Sequence, residues 1–193
     1  MRGLSLAMLT ENLTLTLVAS GSEVAALDAV QYLDGGPCVE AAQRGHTVHF
    51  RGDDVLDEER WRMYAQASAA AGVASSLTLP IERAGRVVGT VNLYACTRDA
   101  FEGHQREPAG VLAASAEHAV TNADLSFSTR LVAAEAPTVL ADQDDVDIAL
   151  GIIAESQGID LTTAQERLRA SAARAGITEG QAARAVRTVL HPD

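Results

Sequence analysis

The stretch PIERAGRVVGTVNLYA, residues 80–95, decides the fold of the first part of the chain. Apolar and polar residues alternate on both sides of the tripeptide Ala84-Gly85-Arg86, and alternation with a period of two is typical of β-strands. A glycine in such a tripeptide favours a tight turn. The sequence therefore predicts two strands joined by that turn, VASSLTLPIE at 73–82 and VVGTVNLYAC at 87–96.

The same alternation predicts further strands towards the N-terminus. LSLAML and LTLTLVA are expected to pair as a hairpin around Glu11-Asn12, and HTVHF is another strand. Helical spacing predicts four helices in this part of the chain. Two lie at 22–32 and 38–44, the third follows an acidic loop and stops at Gly72, and the fourth lies at 105–134. Because strands and helices mix without regular βαβ units, we predict an α+β fold with an antiparallel sheet of about five strands and flanking helices.

The C-terminal part has a different pattern, with three short helices after Pro137. Proline is poorly tolerated inside a helix, so Pro137 marks a break. The helices are predicted at about 143–156, 161–174 and 179–190, and capping boxes are predicted for Thr163 with Glu166 and for Thr178 with Gln181. The predicted organisation is one domain at 1–134 and a separate all-α, three-helix domain at 138–193.

The charge is acidic overall but uneven along the chain. The net charge is −11, which disfavours nucleic-acid binding by the protein as a whole. Residues 161–193, however, carry five arginines against three acidic residues, so an anionic partner should dock there. No apolar run approaches the roughly 18 residues that span a bilayer, and no signal peptide is read at the N-terminus. We expect a cytoplasmic protein without membrane contact, in which Cys38 and Cys96 stay reduced.

Several motifs of the first part resemble GAF domains. They are DGGPC at 34–38, HTVHF at 46–50, RGDD at 51–54, ERW at 59–61 and the stretch at 80–95. The resemblance covers about residues 3–130 and implies a sensing domain for a small-molecule ligand that the sequence does not identify. GAF domains usually have a helix before their first strand. Here only Met1 and Arg2 precede it, so that helix is expected to be missing.

The resemblance also implies a ligand pocket. Trp61 and Tyr64 are i, i+3 neighbours on one helix face, which can border the cavity in GAF domains. The candidate pocket residues are Cys38, Trp61, Tyr64, Asn92 and Tyr94. Plain core packing is the alternative for the two aromatic residues. A structural role is favoured over redox sensing for Cys38, because no thiolate-stabilising side chain lies beside it in the sequence.

The segment DVDIALGIIAESQGIDLTTAQERLRASAARAGITEGQAARAVRTVL, residues 145–190, resembles the ANTAR domain, a three-helix RNA-binding module of transcription antiterminators. The matching positions are Ala149, Gly151, Ile152, Ile153, Ala164, Leu168, Arg169, Ser171 and Ala182. The resemblance implies binding of RNA hairpins. The candidate RNA-binding residues are Arg169, Ser171, Arg174, Arg184 and Arg187.

Two functions stay open at this point. The first is a two-domain antitermination regulator, in which GAF sensing is coupled to RNA-hairpin binding. The second is a dimeric ligand-sensing or protein-interaction module whose ANTAR-like domain does not bind RNA. The second is favoured by polar family positions that are changed here, with Gln143, Leu150 and Ala175 in place of the usual residues. A homodimer is expected in both, because the predicted helix at 105–134 is rich in alanine.

Catalytic and metal-binding patterns are not apparent in the sequence. No Ser/His/Asp, Cys/His or paired-carboxylate arrangement with a catalytic logic stands out. His46 and His49 lie three apart on a predicted strand and so point to opposite faces, which disfavours a metal pair. We therefore predict a protein that is not an enzyme and that uses no metal or cofactor.

Overall fold

The computed structural model describes residues 1–10, 13–103 and 141–188. The first part contains five strands and four helices: β1 (Gly3–Thr10), β2 (Leu13–Ala19), α1 (Ser22–Asp34), α2 (Pro37–Arg44), β3 (Val48–Arg51), α3 (Val55–Arg60), α4 (Arg62–Ala70), β4 (Ser75–Arg83) and β5 (Arg86–Ala95). Three helices follow in the C-terminal part, here called the helical region: α5 (Ala141–Gln157), α6 (Leu161–Ala175) and α7 (Glu179–Arg187). The predicted helix at 105–134, Pro137 and the predicted turn at Glu11-Asn12 lie outside the described residues.

The strands form one antiparallel sheet in the order β2-β1-β5-β4-β3. This confirms the predicted α+β class and the number of strands. The turn between β4 and β5 is as tight as predicted, since Arg83 pairs with Arg86. Ala84 and Gly85 both have positive φ angles, 50° and 73°, which is the conformation that two-residue hairpin turns require.

The two faces of the sheet differ in chemistry. One face carries an aliphatic cluster that includes Leu6, Leu77, Val91 and Leu93. The alternate positions of the same strands point to the opposite face, which packs against α1 and α2. These positions include the buried polar residues Ser5, Thr78, Thr90 and Asn92. The helix-covered face is therefore a buried polar surface, and buried polar groups need hydrogen-bond partners.

Helix α1 lies between the sheet and the helical region. It contacts β1 and β2 on one side and α6 and α7 on the other. One hydrophobic cluster runs from Val24 and Val30 of α1 to Leu168 of α6 and Val186 of α7. The helical region is therefore packed directly onto the first part of the chain. No strand occurs in residues 141–188, as predicted.

The local capping of the helices departs from expectation at one place. The predicted box of Thr163 and Glu166 is wrong, because α6 begins at Leu161, as predicted from its spacing, and Thr163 therefore lies inside its first turn. Its cap is Asp160, whose carboxylate accepts a 2.9 Å hydrogen bond from the backbone N–H of Thr163. The predicted box of Thr178 and Gln181 is confirmed at the start of α7.

The acidic segment after β3 also differs from expectation. It was predicted as a loop entering one helix, but it forms the short helix α3, capped by Asp54, before α4 begins. Trp61 lies between the two helices and separates them, because its backbone is not helical (φ −132°, ψ 59°). Within the described residues, no helix is both long and apolar enough to cross a membrane.

Candidate functional site

The candidate site is centred on Asp28, a carboxylate on the sheet-facing side of α1. Its neighbours along the helix are apolar, with Val24, Leu27 and Val30 all buried. Asp28 itself is completely buried. A buried carboxylate is costly unless hydrogen bonds compensate for the lost water, so its partners decide what it can do.

Four side chains donate hydrogen bonds to the Asp28 carboxylate. Oδ1 accepts from the Tyr94 hydroxyl at 2.6 Å, from Asn92 Nδ2 at 3.3 Å and from Gln31 Nε2 at 3.4 Å. Oδ2 accepts from the Thr16 hydroxyl at 2.9 Å. We call these five residues the Asp28 cluster. Strands β2 and β5 supply three of the donors, so the cluster joins α1 to the sheet.

A further layer of contacts orients the donors. Asn92 Nδ2 also donates to Ser5 Oγ at 3.0 Å, and its Oδ1 accepts from the Thr78 hydroxyl at 3.1 Å. These contacts come from the strands on either side of β5 and hold the amide in one orientation. Gln31 Nε2 also donates to the Tyr94 hydroxyl oxygen at 3.2 Å. These contacts therefore fix the orientation of the donors.

Burial makes Asp28 easier to protonate than an ordinary carboxyl group. Burial raises the pKa of Asp28 from 3.8 to about 6, and the hydrogen bonds from Tyr94, Thr16 and Asn92 limit that rise. No arginine, lysine or histidine side chain in the described residues donates to this carboxylate. A neutral acid and a carboxylate are therefore both accessible to Asp28 close to neutral pH.

The DGGPC motif places α2 against the cluster. Gly36 has no side chain, and a Cβ there would lie only 2.5 Å from Gln31 Cγ. Gln31 can consequently reach the start of α2, where its Oε1 accepts a 2.7 Å hydrogen bond from the backbone N–H of Cys38. The Cys38 thiol lies 3.2 Å from Thr90 Oγ1. Burial raises the pKa of the Cys38 thiol to about 12, so the thiol stays protonated, which fits a structural role.

Tyr32 extends the cluster towards the helical region. Its hydroxyl lies 2.8 Å from Thr16 Oγ1. Because the single hydroxyl proton of Thr16 is donated to Asp28, the Tyr32 hydroxyl must be the donor in this contact. Burial raises the pKa of Tyr32, and nearby Cys38 and Asp28 add to that effect, so the phenol stays protonated.

Arg174 of α6 completes this path on the opposite side of Tyr32. Its guanidinium carbon lies 4.4 Å from the centre of the Tyr32 ring. Arg174 Nε donates to the backbone oxygen of Thr14 at 3.0 Å, and Nη1 donates to that of Tyr32 at 3.2 Å. Partial burial lowers the pKa of Arg174 from its ordinary value, and the guanidinium stays charged. The Asp28 carboxylate is thus linked to an arginine of the helical region through Thr16 and Tyr32. Two hydrogen bonds and the contact of the guanidinium with the Tyr32 ring make up this path.

The predicted pocket residues all lie on the helix-covered side of the sheet. Asn92 and Tyr94 belong to the Asp28 cluster, and Cys38 is beside it. Tyr64 is buried and donates a 2.8 Å hydrogen bond to Ser76 Oγ. Trp61 packs near Phe50, with ring centres 6.5 Å apart. All five residues are therefore buried between the sheet and the helices that cover it, and each contacts other protein side chains.

The predicted RNA-binding residues are distributed among different surroundings. Ser171 is buried and donates to the backbone oxygen of Leu168, and Arg174 faces the GAF-like part. Arg169 pairs with Glu179 at 3.5 Å. Arg184 and Arg187 both pair with Asp145, at 3.8 Å and 3.0 Å. The expected single basic surface that includes Arg174 and Ser171 is therefore not formed in this arrangement.

Sequence reasoning missed the centre of the site. Asp28, Gln31 and Thr16 were not among the candidates. The signal was present, because Val24, Asp28 and Gln31 have i, i+4, i+7 spacing and so share a face of α1. A carboxylate on the buried face of a helix must find hydrogen-bond partners, so it is a candidate site residue. Within the described residues, no group of three or more His, Cys, Asp or Glu side chains could hold a metal ion.

The similarity to a known family lies in the first part of the chain. No curated protein matches the chain. A solved structure similar to it is a domain described as part of a two-component sensor histidine kinase protein from Sinorhizobium meliloti 1021, with 14% identity and a TM-score of 0.47, covering 67% of this chain and 84% of that one. The GAF domain family model matches residues 4–121, so the helical region lies outside the match. Because that match spans more than half of the sequence, the chain belongs to the GAF domain family.

Proposed function

We propose that the chain is a sensory regulator in which the GAF domain receives a signal and the docked helical region delivers the output. The observation that carries this proposal is the path of contacts from Asp28 through Thr16 and Tyr32 to Arg174. It connects a fully buried carboxylate of the sensor to a side chain of α6. A change in the charge or the partners of Asp28 therefore alters the surface on which α6 is held.

The output that we propose is RNA-hairpin binding in transcription antitermination, as the resemblance of residues 145–190 to ANTAR domains implies. Exposed cations support it, because the side chains of Arg169, Arg184 and Arg187 are 69%, 46% and 45% exposed. The exposed pair of Arg169 with Glu179 contributes little to stability and can be exchanged for a phosphate contact. Arg184 and Arg187 share the buried carboxylate of Asp145, so one of them can turn to phosphate while the other keeps that carboxylate. Arg174 is held against the GAF domain, so in this proposal it reaches RNA only after the helical region separates.

The test is a titration of the full chain against a two-hairpin RNA at about 50 and about 200 mM salt. Arg187→Ala is expected to weaken binding and to reduce its salt dependence, because one phosphate contact is lost. Arg62→Ala removes an exposed arginine from α4 and is the matched control. Absence of binding at the lower salt concentration would overturn the RNA output.

One observation favours a second output. The side chains of Ser171 and Arg174 both donate hydrogen bonds to backbone oxygens of the protein itself. In this alternative the chain is a dimeric ligand-sensing or protein-interaction module that does not bind RNA. A negative RNA titration together with a dimer in light scattering at tens of micromolar protein would favour it. A monomer in the same measurement would contradict the homodimer that both candidates include.

The two candidates share their remaining features as proposals. The protein is a cytoplasmic regulator and not an enzyme, and its GAF domain responds to a small molecule of unidentified structure. The absence of a catalytic pairing in the sequence supports the regulatory assignment. The buried polar cluster supports the sensing role, because changes of protonation or hydrogen bonding have large effects in a site from which water is excluded.

A further inference from the structure

A groove of about 320 Å³ lies where three helices meet, α1 and α4 of the GAF domain and α7 of the helical region. Its apolar lining includes Leu27 and alanines from all three helices, Ala26, Ala70 and Ala185. Because alanine side chains end at Cβ, these walls are flat. The volume is at the lower end of the range of about 300–1,000 Å³ that is typical of small-molecule sites, which often lie between domains.

The rim of the groove carries charge. Arg2 and Arg184 lie on it together with one acidic residue, Glu23. Arg2 pairs with Glu23 at 2.6 Å. Arg184 is 3.8 Å from Asp145, whereas Arg187 is closer to the same carboxylate, at 3.0 Å. Both rim guanidinium groups are thus paired with carboxylates, but Arg184 can turn towards an anion in the groove while Asp145 keeps its closer partner, Arg187.

We infer that this groove binds a small planar organic anion of the aromatic carboxylate class. Its ring lies against the alanine walls, and its carboxylate accepts charge-assisted hydrogen bonds from the rim arginines, chiefly Arg184. An apolar lining with few polar groups at one end is the usual construction of such sites. Because the walls come from both parts of the chain, the bound molecule holds the helical region on the GAF domain.

This site is separate from the Asp28 cluster and does not depend on the nature of the output. It uses Glu23, Ala26 and Leu27 of α1, whereas the cluster uses Asp28 and Gln31. Binding to the groove can therefore be measured without RNA. Its failure would leave the regulatory proposal standing, and failure of RNA binding would leave the groove proposal standing.

The probe for the test is 2-naphthoate, with 2-naphthylmethanol as its uncharged counterpart, titrated calorimetrically into the full chain. Naphthoate is expected to bind at least about tenfold more tightly than the alcohol, because only the carboxylate pairs with a guanidinium. Arg184→Gln should weaken naphthoate binding about tenfold and leave the alcohol almost unaffected. Arg187→Gln is the matched control, because Arg187 pairs with the same Asp145 but does not line the groove.

A second pair of variants tests the location by shape. Ala70→Leu fills the groove and should abolish binding of both compounds, whereas Ala69→Leu, at the neighbouring exposed position of α4, should retain it. Circular dichroism melting curves check that both variants fold. The inference is overturned if millimolar naphthoate does not bind the parent or if binding survives Ala70→Leu. Equal losses in Arg184→Gln and Arg187→Gln would overturn it as well.

Discussion

Arg174 and Tyr32 form a stacked pair across the boundary between the helical region and the GAF domain, with the guanidinium carbon 4.4 Å from the ring centre. The same guanidinium donates to the backbone oxygens of Thr14 and Tyr32. One side chain of α6 thereby contacts both β2 and α1. This contact makes Arg174 a structural link at a position where the sequence predicted an RNA contact.

Arg174→Ala is expected to lower the free energy of unfolding by about 2–4 kcal/mol. The partly desolvated cation–π contact contributes about 1–2 kcal/mol, and each hydrogen bond from a charged donor contributes about 1.5–3 kcal/mol before partial replacement by water. Arg169→Ala is the control, since that side chain is exposed and its ion pair with Glu179 is long. Its cost should stay below about 1 kcal/mol. Equal effects of the two substitutions in urea unfolding would contradict the role of Arg174.

Stability should depend on pH through Asp28. Its pKa is raised from 3.8 to about 6 in the folded protein, so the folded state binds the proton more tightly than the unfolded state. The stabilising contribution is therefore complete below about pH 4 and is lost as the pH rises through about 6. The total loss corresponds to roughly 3 kcal/mol.

Asp28→Asn isolates this effect, because its side chain does not titrate. The amide can occupy the same place: its oxygen can accept from Tyr94, and its N–H can donate to Thr16, whose hydroxyl then donates elsewhere. The difference in unfolding free energy between the parent and the variant should change between about pH 4 and about pH 7 in the direction that destabilises the parent. A constant difference across this range would rule out the titration of Asp28.

Two glycine positions should respond in opposite directions to alanine. A Cβ at Gly89 would collide with the backbone oxygen of Ala7 on the neighbouring strand, so Gly89→Ala should cost on the order of 2 kcal/mol or more. Gly151 lies within α5 with open space around it. Gly151→Ala should therefore stabilise the protein by about 0.5–1 kcal/mol. Thermal melting of both variants checks the pair, and a stabilised Gly89→Ala would show that the β1–β5 pairing is looser than described.

The two cysteines should differ strongly in their reactivity. Cys38 is buried and its pKa is raised from 9.0 to about 12, whereas Cys96 is exposed. The thiolate fraction of Cys38 is thereby about a thousandfold below that of an ordinary cysteine. A thiol-specific chromogenic reagent should therefore titrate one thiol in the native protein and two in denaturant. Rapid reaction of native Cys96→Ser would contradict the structural role of Cys38.

The strands and the C-terminal helices could be predicted because their signals are local. Alternation in residues 73–96 predicted β4, β5 and the turn at Ala84, and helical spacing predicted α5, α6 and α7. The start of α6 was predicted correctly but its cap was not, because Asp160 and Thr163 are both acceptable capping residues. Only the backbone geometry shows which of the two N-cap positions is used.

The centre of the site could be predicted only in part, because its contacts join residues that are far apart in the sequence. Asn92 and Tyr94 were found through the resemblance to GAF domains. The helical spacing places Asp28 on the buried face of α1, but its partners Thr16 and Asn92 lie on two separate strands, so the spacing alone did not indicate the cluster. The position of Arg174 depends on docking across 142 residues of chain to Tyr32, and no periodicity within a helix contains that information.

The packing of α1 on both sides also limits how the chain can be divided for study. Buried side chains of α1 share one core with α6 and α7. A fragment that ends before Ala141 would expose that side of α1 to water, and its exposed apolar surface would favour aggregation. Such a fragment is a poor substitute for the whole sensor, and any aggregation or altered response that it shows would reflect the cut and not the signal.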